Sequence, residues 1–406
     1  MILVNLKTNP LKVTSLIAIV SIFFPYVALI KSDSDTQPYA FIFNSVFIFI
    51  YIFSKKIVFS KKLLIYYLLF LYSVFLSVSL ESYNIRSIFG YASIALITTS
   101  VYLIVKDSLI NYKLISIYVF IWFLFGLIQT FYNRDFGSIL LPRMTTGTTR
   151  GVVGLAPEPS YYGISCIFMF VVLRIYICKN LIDHKMALFL EVILIFQILF
   201  LAQSSIAILM LILYLLIKLI ISFNFKMLFY SLVFLFFCYL IIDNSLSESR
   251  VFSLVRLVFS EPKYIYIVDA SINDRFGQIY ISLLGFIKSF PVAIGHGTNS
   301  WEDYLINNLY SYPDFYGVSI TDRIMSGFGG GLFELGLAGI LLPFLSILIF
   351  FRHHEKEMKV LGVFVFICLF AAIPLAFPLY SFLLGLVEAL RVLEKKKLSL
   401  SLEMRV

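Results

Sequence analysis

Long apolar runs alternate with short polar linkers along almost the whole 406-residue chain. A run of roughly 17–25 apolar residues is needed to cross about 30 Å of hydrocarbon. The pattern therefore predicts an all-α membrane protein with about twelve membrane-spanning helices. The predicted spans lie near residues 14–30, 39–54, 63–80, 87–105, 114–132, 161–178, 186–202, 205–221, 227–242, 331–350, 360–375 and 379–393. The last two, separated by Pro374 and Pro378, also fit one re-entrant element.

Two linkers are much longer than the rest, and both fall on the same predicted side of the membrane. They divide the chain into five parts. These are residues 1–132 with spans one to five, 133–160 as the first large loop, 161–242 with spans six to nine, 243–330 as the second large loop, and 331–406 with the last three spans and a tail.

The second loop carries its own helical pattern. Apolar side chains recur there at helical spacing and Pro291 stops the run, which predicts an amphipathic helix near the outer membrane interface. Its apolar positions are Phe276, Ile279, Tyr280, Leu283, Leu284, Ile287 and Phe290. Residues 249–259 are a candidate for a second, shorter helix, and residues 294–297 are predicted to form a turn.

An aromatic cluster follows in the same loop and allows two interpretations. Its members are Trp301, Tyr304, Tyr310, Tyr312 and Tyr316. Tyr and Trp are enriched at membrane interfaces because each has an apolar body and a polar end. Their flat faces also suit stacking on sugar rings.

Composition excludes several classes of protein. The chain is 61% hydrophobic and 14% charged, and its mean hydropathy is +0.96. Soluble domains average about 45–50% apolar and about 25% charged residues, so soluble and disordered proteins are excluded. The net charge of +9 comes from basic residues spread between apolar runs, which excludes a nucleic-acid partner. The four cysteines lack metal-ligand spacing, so we expect no disulfide, no metal and no cofactor.

The distribution of Lys and Arg predicts the orientation. With the N-terminus inside, 21 of the 32 basic residues fall on the cytoplasmic side, and 17 of these are Lys. Both termini are then cytoplasmic. Eight of the other eleven are Arg, the residue best suited to bidentate binding of phosphate or carboxylate. These are Arg86, Arg134, Arg143, Arg150, Arg250, Arg256, Arg275 and Arg323.

The first loop is rich in glycine and proline. Gly147, Gly151 and Gly154 predict close backbone approach and unusual dihedral angles. Glu158 lies between two prolines, which fix its approach to the next helix, and Ser160 is the predicted N-cap.

Three segments resemble one family. Arg150-Gly-x-x-Gly-x-x-x-Glu158-Pro-Ser160-x-x-Gly163 resembles the first large loop of the O-antigen polymerase (Wzy) and O-antigen ligase superfamily. Arg275 with residues 291–297 is similar to the second loop, and residues 329–339 are similar to the segment that enters the following span. The family also places ten residues between an Arg and a Gly in each loop. Arg143 and Gly154 fit that spacing, whereas nine residues separate Arg275 from Gly285.

The resemblance implies a GT-C-like glycosyltransferase of the bacterial inner membrane with its active site facing the periplasm. Its substrates would be an undecaprenyl-diphosphate-linked glycan donor and acceptor, and its partners membrane lipids and a chain-length regulator. The ligase branch carries a His-Asn pair where this chain has Met325-Ser326, which favours the polymerase. A ligase and an exporter of lipid-linked sugars are the alternatives. An exporter would need polar groups within the spans, which are mostly Phe, Leu and Ile.

The chemistry of such a transfer selects the candidate residues. Fixed arginines stabilise a diphosphate leaving group as its charge develops, and a positioned base accepts the proton of the attacking hydroxyl. The arginine candidates are Arg150, Arg275, Arg143 and Arg323. Glu158 and His296 are candidates for the base, with Asp274, Glu302 and Asp322 behind them. The loops contain no Asp-x-Asp pair, which predicts metal-independent transfer.

Overall fold

The computed structural model of the chain describes most of the predicted spans and loops. The described residues are 10–28, 35–55, 60–81, 83–145, 151–222, 269–289, 294–320, 324–371 and 373–403, with single residues at 257, 260, 261, 264 and 267. Within these ranges every regular element is a helix. The predicted ninth span, 227–242, and nearly all of the predicted short helix at 249–259 lie outside them.

The first eight helices carry the N-terminal half of the bundle. They are α1 (Pro10–Phe23), α2 (Tyr39–Ser54), α3 (Leu63–Ser79), α4 (Ile85–Lys106), α5 (Leu114–Phe131), α6 (Pro159–Cys178), α7 (His184–Phe196) and α8 (Ser205–Ile221). A π-helical turn, Gln197–Ala202, extends α7. Side chains of Asn84, Asp183 and Ser204 accept hydrogen bonds from the first free amides of α4, α7 and α8.

Six more helices complete the described chain. They are α9 (Ala270–Lys288), α10 (Trp301–Asn308), α11 (Gly327–Leu335), α12 (Leu341–Phe351), α13 (Lys356–Ala371) and α14 (Pro378–Glu403). A 3₁₀ turn, Gly336–Ile340, joins α11 to α12. Helices α13 and α14 are separate helices with Pro374 in their connection, and they run in opposite directions, since Lys179 pairs with Glu355 just before α13 and with Glu394 in the second half of α14.

The bundle has two polar ends. At one, Ala28 after α1 meets the first large loop, its amide donating to the Leu140 carbonyl at 2.8 Å, and Asn84 before α4 meets the second, its amide donating to Thr298 Oγ1 at 3.0 Å. We name this the loop end. At the other, Lys62 and Lys179 reach Glu388 and Glu394 of α14. We name this the tail end.

Eleven of the twelve predicted spans coincide with described helices. The boundaries differ where local chemistry overrides hydropathy. The first span was predicted to reach residue 30, but α1 ends at Phe23 because the following Pro25 disfavours the helical conformation of Phe24. Conversely, α14 continues ten residues beyond the predicted end at 393.

Length and surface together indicate a helical membrane protein. Among the described residues, α4, α5, α6, the extended α7 and Gly327–Phe351 are long and apolar enough to span a membrane, and α1, α2, α3 and α8 are shorter apolar helices. Large apolar side chains such as Phe53, Phe75 and Ile220 are exposed on the outside of the bundle. Water-soluble monomers do not tolerate so much contiguous apolar surface.

Helix α9 confirms that the second loop contains the predicted helix. Its buried side includes the polar Asn273, Gln278 and Ser282 together with the apolar Ile281 and Phe286. On the predicted apolar side, Phe276, Tyr280 and Ile287 are each about half exposed, at 53%, 49% and 58%. The exposed side of α9 therefore carries aromatic and aliphatic side chains.

Candidate functional site

Residues from both large loops and from an early linker meet at the loop end. Arg143 and Glu158 come from the first loop, Arg275 from α9, Asp35 from the linker before α2, and Tyr161 from the first turn of α6. We name these five residues the loop-end cluster. The first loop fixes the position of this cluster.

The first loop enters the bundle as a buried segment. Residues 151–157 are all buried. The buried amide of Gln129 on α5 holds Gly154 on both sides, since its Nε2 donates to the Gly154 carbonyl at 2.9 Å and its Oε1 accepts the Gly154 amide at 2.6 Å. The Val152 amide donates to the Leu201 carbonyl in the π-helical turn at 2.8 Å. The loop is therefore anchored to α5 and α7.

Two predicted glycine roles are confirmed in this segment. A Cβ on Gly151 would lie 2.1 Å from the Ala202 carbonyl oxygen, so only glycine allows the backbones to approach so closely. Gly154 has φ of +58° and lies directly against the ring of Tyr162. Its left-handed conformation turns the chain towards Glu158.

Glu158 is the N-cap of α6, so the prediction that Ser160 caps this helix is wrong. Pro159 occupies the first helical position, where its fixed φ and missing amide hydrogen are tolerated. The helix therefore begins before Ser160. The Glu158 carboxylate does not cap its own helix. Its Oε2 accepts from Ser160 Oγ at 3.2 Å, and its Oε1 accepts from Arg143 at 2.9 Å.

Arg143 joins three segments of the chain. Its Nε donates to Asp35 Oδ1 at 2.6 Å and its Nη2 to Asp35 Oδ2 at 2.8 Å, a bidentate pair. Its Nη2 also donates to Glu158, and its Nη1 donates to Thr145 Oγ1. The hydrogen bonds to Asp35 raise the pKa of the Arg143 guanidinium further above its usual range. Its donors are thus occupied by carboxylates and a hydroxyl.

Sequence reasoning did not identify Asp35. It lies in the linker Lys31-Ser-Asp-Ser-Asp35, whose acidic residues have no periodicity or motif that would assign them a partner. The pair joins residues 108 positions apart. The only available signal was an acidic linker on the same predicted side as the arginine-rich loops.

Arg275 differs from Arg143 in its surroundings. It interacts electrostatically with the Tyr161 hydroxyl, which in turn donates to Met325 Sδ at 3.4 Å. Arg86, in the first turn of α4, interacts with Tyr161 and Asp35 in the same way. Neither guanidinium makes a hydrogen bond or a close ion pair with any residue that the structure describes. Among the described residues nothing occupies the donors of either guanidinium, and such donors can bind an anion.

His296 lies apart from the cluster. Its ring stacks on Phe333 with centroids 4.5 Å apart, and its Nε2 lies 3.1 Å from the Gly285 carbonyl. Residues 294–297 do not form the predicted turn. Instead the amides of His296 and Gly297 donate to the carbonyls of Phe333 and Glu334 at the end of α11. In these surroundings His296 packs the second loop against α11, and its role as a base stays a prediction.

The remaining candidates are distributed outside the cluster or outside the described chain. Arg150 and Arg323 lie in the ranges 146–150 and 321–323, which the structure does not describe, as does Asp322. Asp274 accepts a hydrogen bond from Gln278 on its own helix at 2.7 Å, and Glu302 is exposed on α10. No group of three metal-ligating side chains occurs in the described ranges.

The cluster combines an anchored carboxylate with arginines that can bind an anion. Glu158 is 24% exposed and retains lone pairs beyond those used by Arg143 and Ser160. Such a group can accept a proton from a hydroxyl held beside it, while Arg275 and Arg86 bind a phosphate. Comparison of this chain with models of protein families, with curated proteins and with solved structures found no match.

Proposed function

We propose that the chain is a polysaccharide polymerase of the O-antigen type, a GT-C-like membrane enzyme with about twelve spans. It would join undecaprenyl-diphosphate-linked oligosaccharide repeat units at the periplasmic face of the bacterial inner membrane. The observation that carries the proposal is a combination of groups at one end of an apolar bundle. An anchored carboxylate lies there with Arg275 and Arg86, whose donors are not taken up by described residues. The three resembling segments supply the substrate class.

The reaction assigns a role to each group. A hydroxyl oxygen of the acceptor sugar attacks the anomeric carbon of the donor, and the bond from that carbon to the diphosphate oxygen breaks. Glu158 accepts the hydroxyl proton, and the diphosphate leaves with the bonding electrons. Arg275 and Arg86 stabilise the charge that develops on the leaving group, as Arg150 and Arg323 would if they reach it. Arg143 holds Glu158 and is a positioning residue.

The proposed setting follows the distribution of positive charge. Both termini would be cytoplasmic, the loop end would face the periplasm, and the lipid carrier would reach the cluster from the outer leaflet. A chain-length regulator and membrane lipids would be the partners. The transfer would need no metal, because arginines supply the positive charge.

The test is lipopolysaccharide gel electrophoresis of a strain that lacks the gene, complemented with plasmid-borne variants. Wild type should restore a ladder of long chains. Arg275→Ala should give core with one repeat unit, because losing one fixed donor typically slows a reaction by about 10²–10³-fold. Glu158→Ala should give the same pattern, because a positioned general base typically contributes about 10²–10⁴-fold. The matched control is Arg352→Ala, an exposed arginine at the tail end, which should restore the ladder.

Other gel patterns would identify other functions. Bare core with long polymer on the lipid carrier would mean a ligase. Bare core with single lipid-linked units retained in the cytoplasmic leaflet would mean an exporter. A full ladder from both loop-end variants, at normal membrane levels of protein, would refute the assignment of the site.

A further inference from the structure

A groove beside Arg275 has the side chains of a sugar-binding site. It is an open groove of about 440 Å³ between α9 and the segment 311–315. Four aromatic rings and two polar groups line it, namely Phe276, Tyr280, Tyr312, Phe315, Ser311 and Asp314. We propose that this groove binds sugar residues of the lipid-linked glycan, an inference that rests on the proposed function.

The groove is a built feature of the second loop. The buried side chain of Asn273 fastens segment 311–318 to α9, since its Nδ2 donates to the Asp314 carbonyl at 2.7 Å and its Oδ1 accepts the Gly317 amide at 2.8 Å. A Cβ on Gly277 would lie 2.5 Å from Val318 Cγ2, so the segment rests directly on the helix. These contacts fix the separation of the two walls.

The aromatic walls present fixed ring faces. Tyr280 packs against Phe315 with centroids 5.3 Å apart and meets Tyr312 edge to face at 6.2 Å. Lys288 donates to the Tyr312 hydroxyl at 3.1 Å, which restrains that ring. Tyr280 is 49% exposed, so part of its surface remains open to a ligand. Flat, partly exposed rings suit the apolar face of a sugar.

The polar groups favour a sugar over a lipid tail. The Asp314 carboxylate is exposed and makes no ion pair with any described residue, and the Ser311 hydroxyl is exposed beside it. A carboxylate and a hydroxyl can exchange hydrogen bonds with sugar hydroxyls. Next to an isoprenoid chain they would lose water without any compensating bond.

The groove lies next to Arg275 on α9. Arg275 and Phe276 are adjacent on α9, and successive helical residues point about 100° apart. Arg275 faces Tyr161 and the loop-end cluster, while Phe276 faces the groove. In a lipid-linked glycan the first sugar is bonded directly to the diphosphate. A diphosphate at Arg275 would therefore place its sugars at the mouth of the groove.

The test compares two probes on the full-length protein in detergent micelles by native mass spectrometry. One is undecaprenyl diphosphate, and the other is the same lipid carrying the host's repeat-unit oligosaccharide. Tyr280→Ala and Tyr312→Ala should each weaken binding of the glycan-bearing probe roughly tenfold and leave the bare lipid unchanged. Asp314→Asn should weaken the same probe by a smaller factor.

Two controls match the variants. Tyr280→Phe keeps the ring and should bind like wild type. Tyr310→Ala removes a tyrosine just before this segment that is 96% exposed and does not line the groove, and it should also bind like wild type.

The remaining outcomes would count against the groove as a sugar-binding site. Equally weakened binding of both probes would show that the groove holds the lipid tail. Unchanged binding of both would show that the groove holds neither the sugars nor the lipid. Both results overturn the groove while leaving the proposed function in place. A wild-type protein that binds neither probe would overturn both.

Discussion

The two ends of the bundle use charge in opposite ways. At the tail end, charged side chains are joined into networks that link helices. Glu388 on α14 meets Lys62 and Arg391, and Glu357 on α13 meets Arg174 of α6 and Lys218 of α8. At the loop end, Arg143 is bound by carboxylates, while Arg275 and Arg86 make no hydrogen bond or close ion pair with any residue that the structure describes. Charge therefore links helices at the tail end, and at the loop end the described residues leave these two guanidinium groups open to an anion.

The largest effect that would test this contrast is on stability at the tail end. Glu388 is fully buried and accepts from Ser60, Lys62 and Arg391. Glu388→Ala leaves those partners without their carboxylate, so we expect a loss of about 3 kcal/mol in the free energy of unfolding. Unfolding in mixed SDS and dodecyl maltoside micelles measures it.

Glu388→Gln is the matched control, because it keeps two of the hydrogen-bonding positions and should lose less stability. If Glu388→Ala unfolded like wild type, the tail-end network would have no structural role. The polymer formed per folded molecule should not change in either variant.

A smaller effect is expected from the saturated arginine at the loop end. Arg143 is 49% exposed at its side chain, so water screens its pair with Asp35. A double-mutant cycle of Arg143→Ala and Asp35→Ala should give a coupling of about 0.5 kcal/mol in unfolding free energy. A coupling several times larger would mean that this end, too, relies on charge for its stability.

The smallest effect is a pH dependence at the tail end. Burial and the nearby Lys179 lower the pKa of His353, against the opposing influence of the Val387 carbonyl, Glu394 and Glu355. The unfolded chain then binds a proton before the folded one, so stability is lost as pH falls below about 6.5. His353→Gln should flatten that part of the unfolding profile. An unchanged profile would contradict the lowered pKa.

Local patterns predicted the elements, and contacts between distant segments decided the site. Hydropathy located eleven spans that coincide with described helices, one of them covering both α11 and α12, and periodicity located α9, because both are properties of neighbouring residues. The pair of Asp35 with Arg143 and the anchoring of Gly154 by Gln129 depend on how helices pack, which no local pattern encodes. The prediction that Ser160 is the N-cap of α6 was wrong for a local reason, because proline occupies the first helical position and the N-cap is therefore Glu158.

The burial of residues 151–157 has a consequence for the proposed reaction, because it fixes the position of the residue that follows them, Glu158. The backbone of this segment is hydrogen-bonded to α5 and to the end of α7, and it holds the Glu158 carboxylate in a fixed position in the bundle. In the proposed polymerase, each added repeat unit would then pass a stationary Glu158, so the growing chain would move while this segment stays in place. The second loop, where α9 carries Arg275 beside the groove, would set the position of that chain.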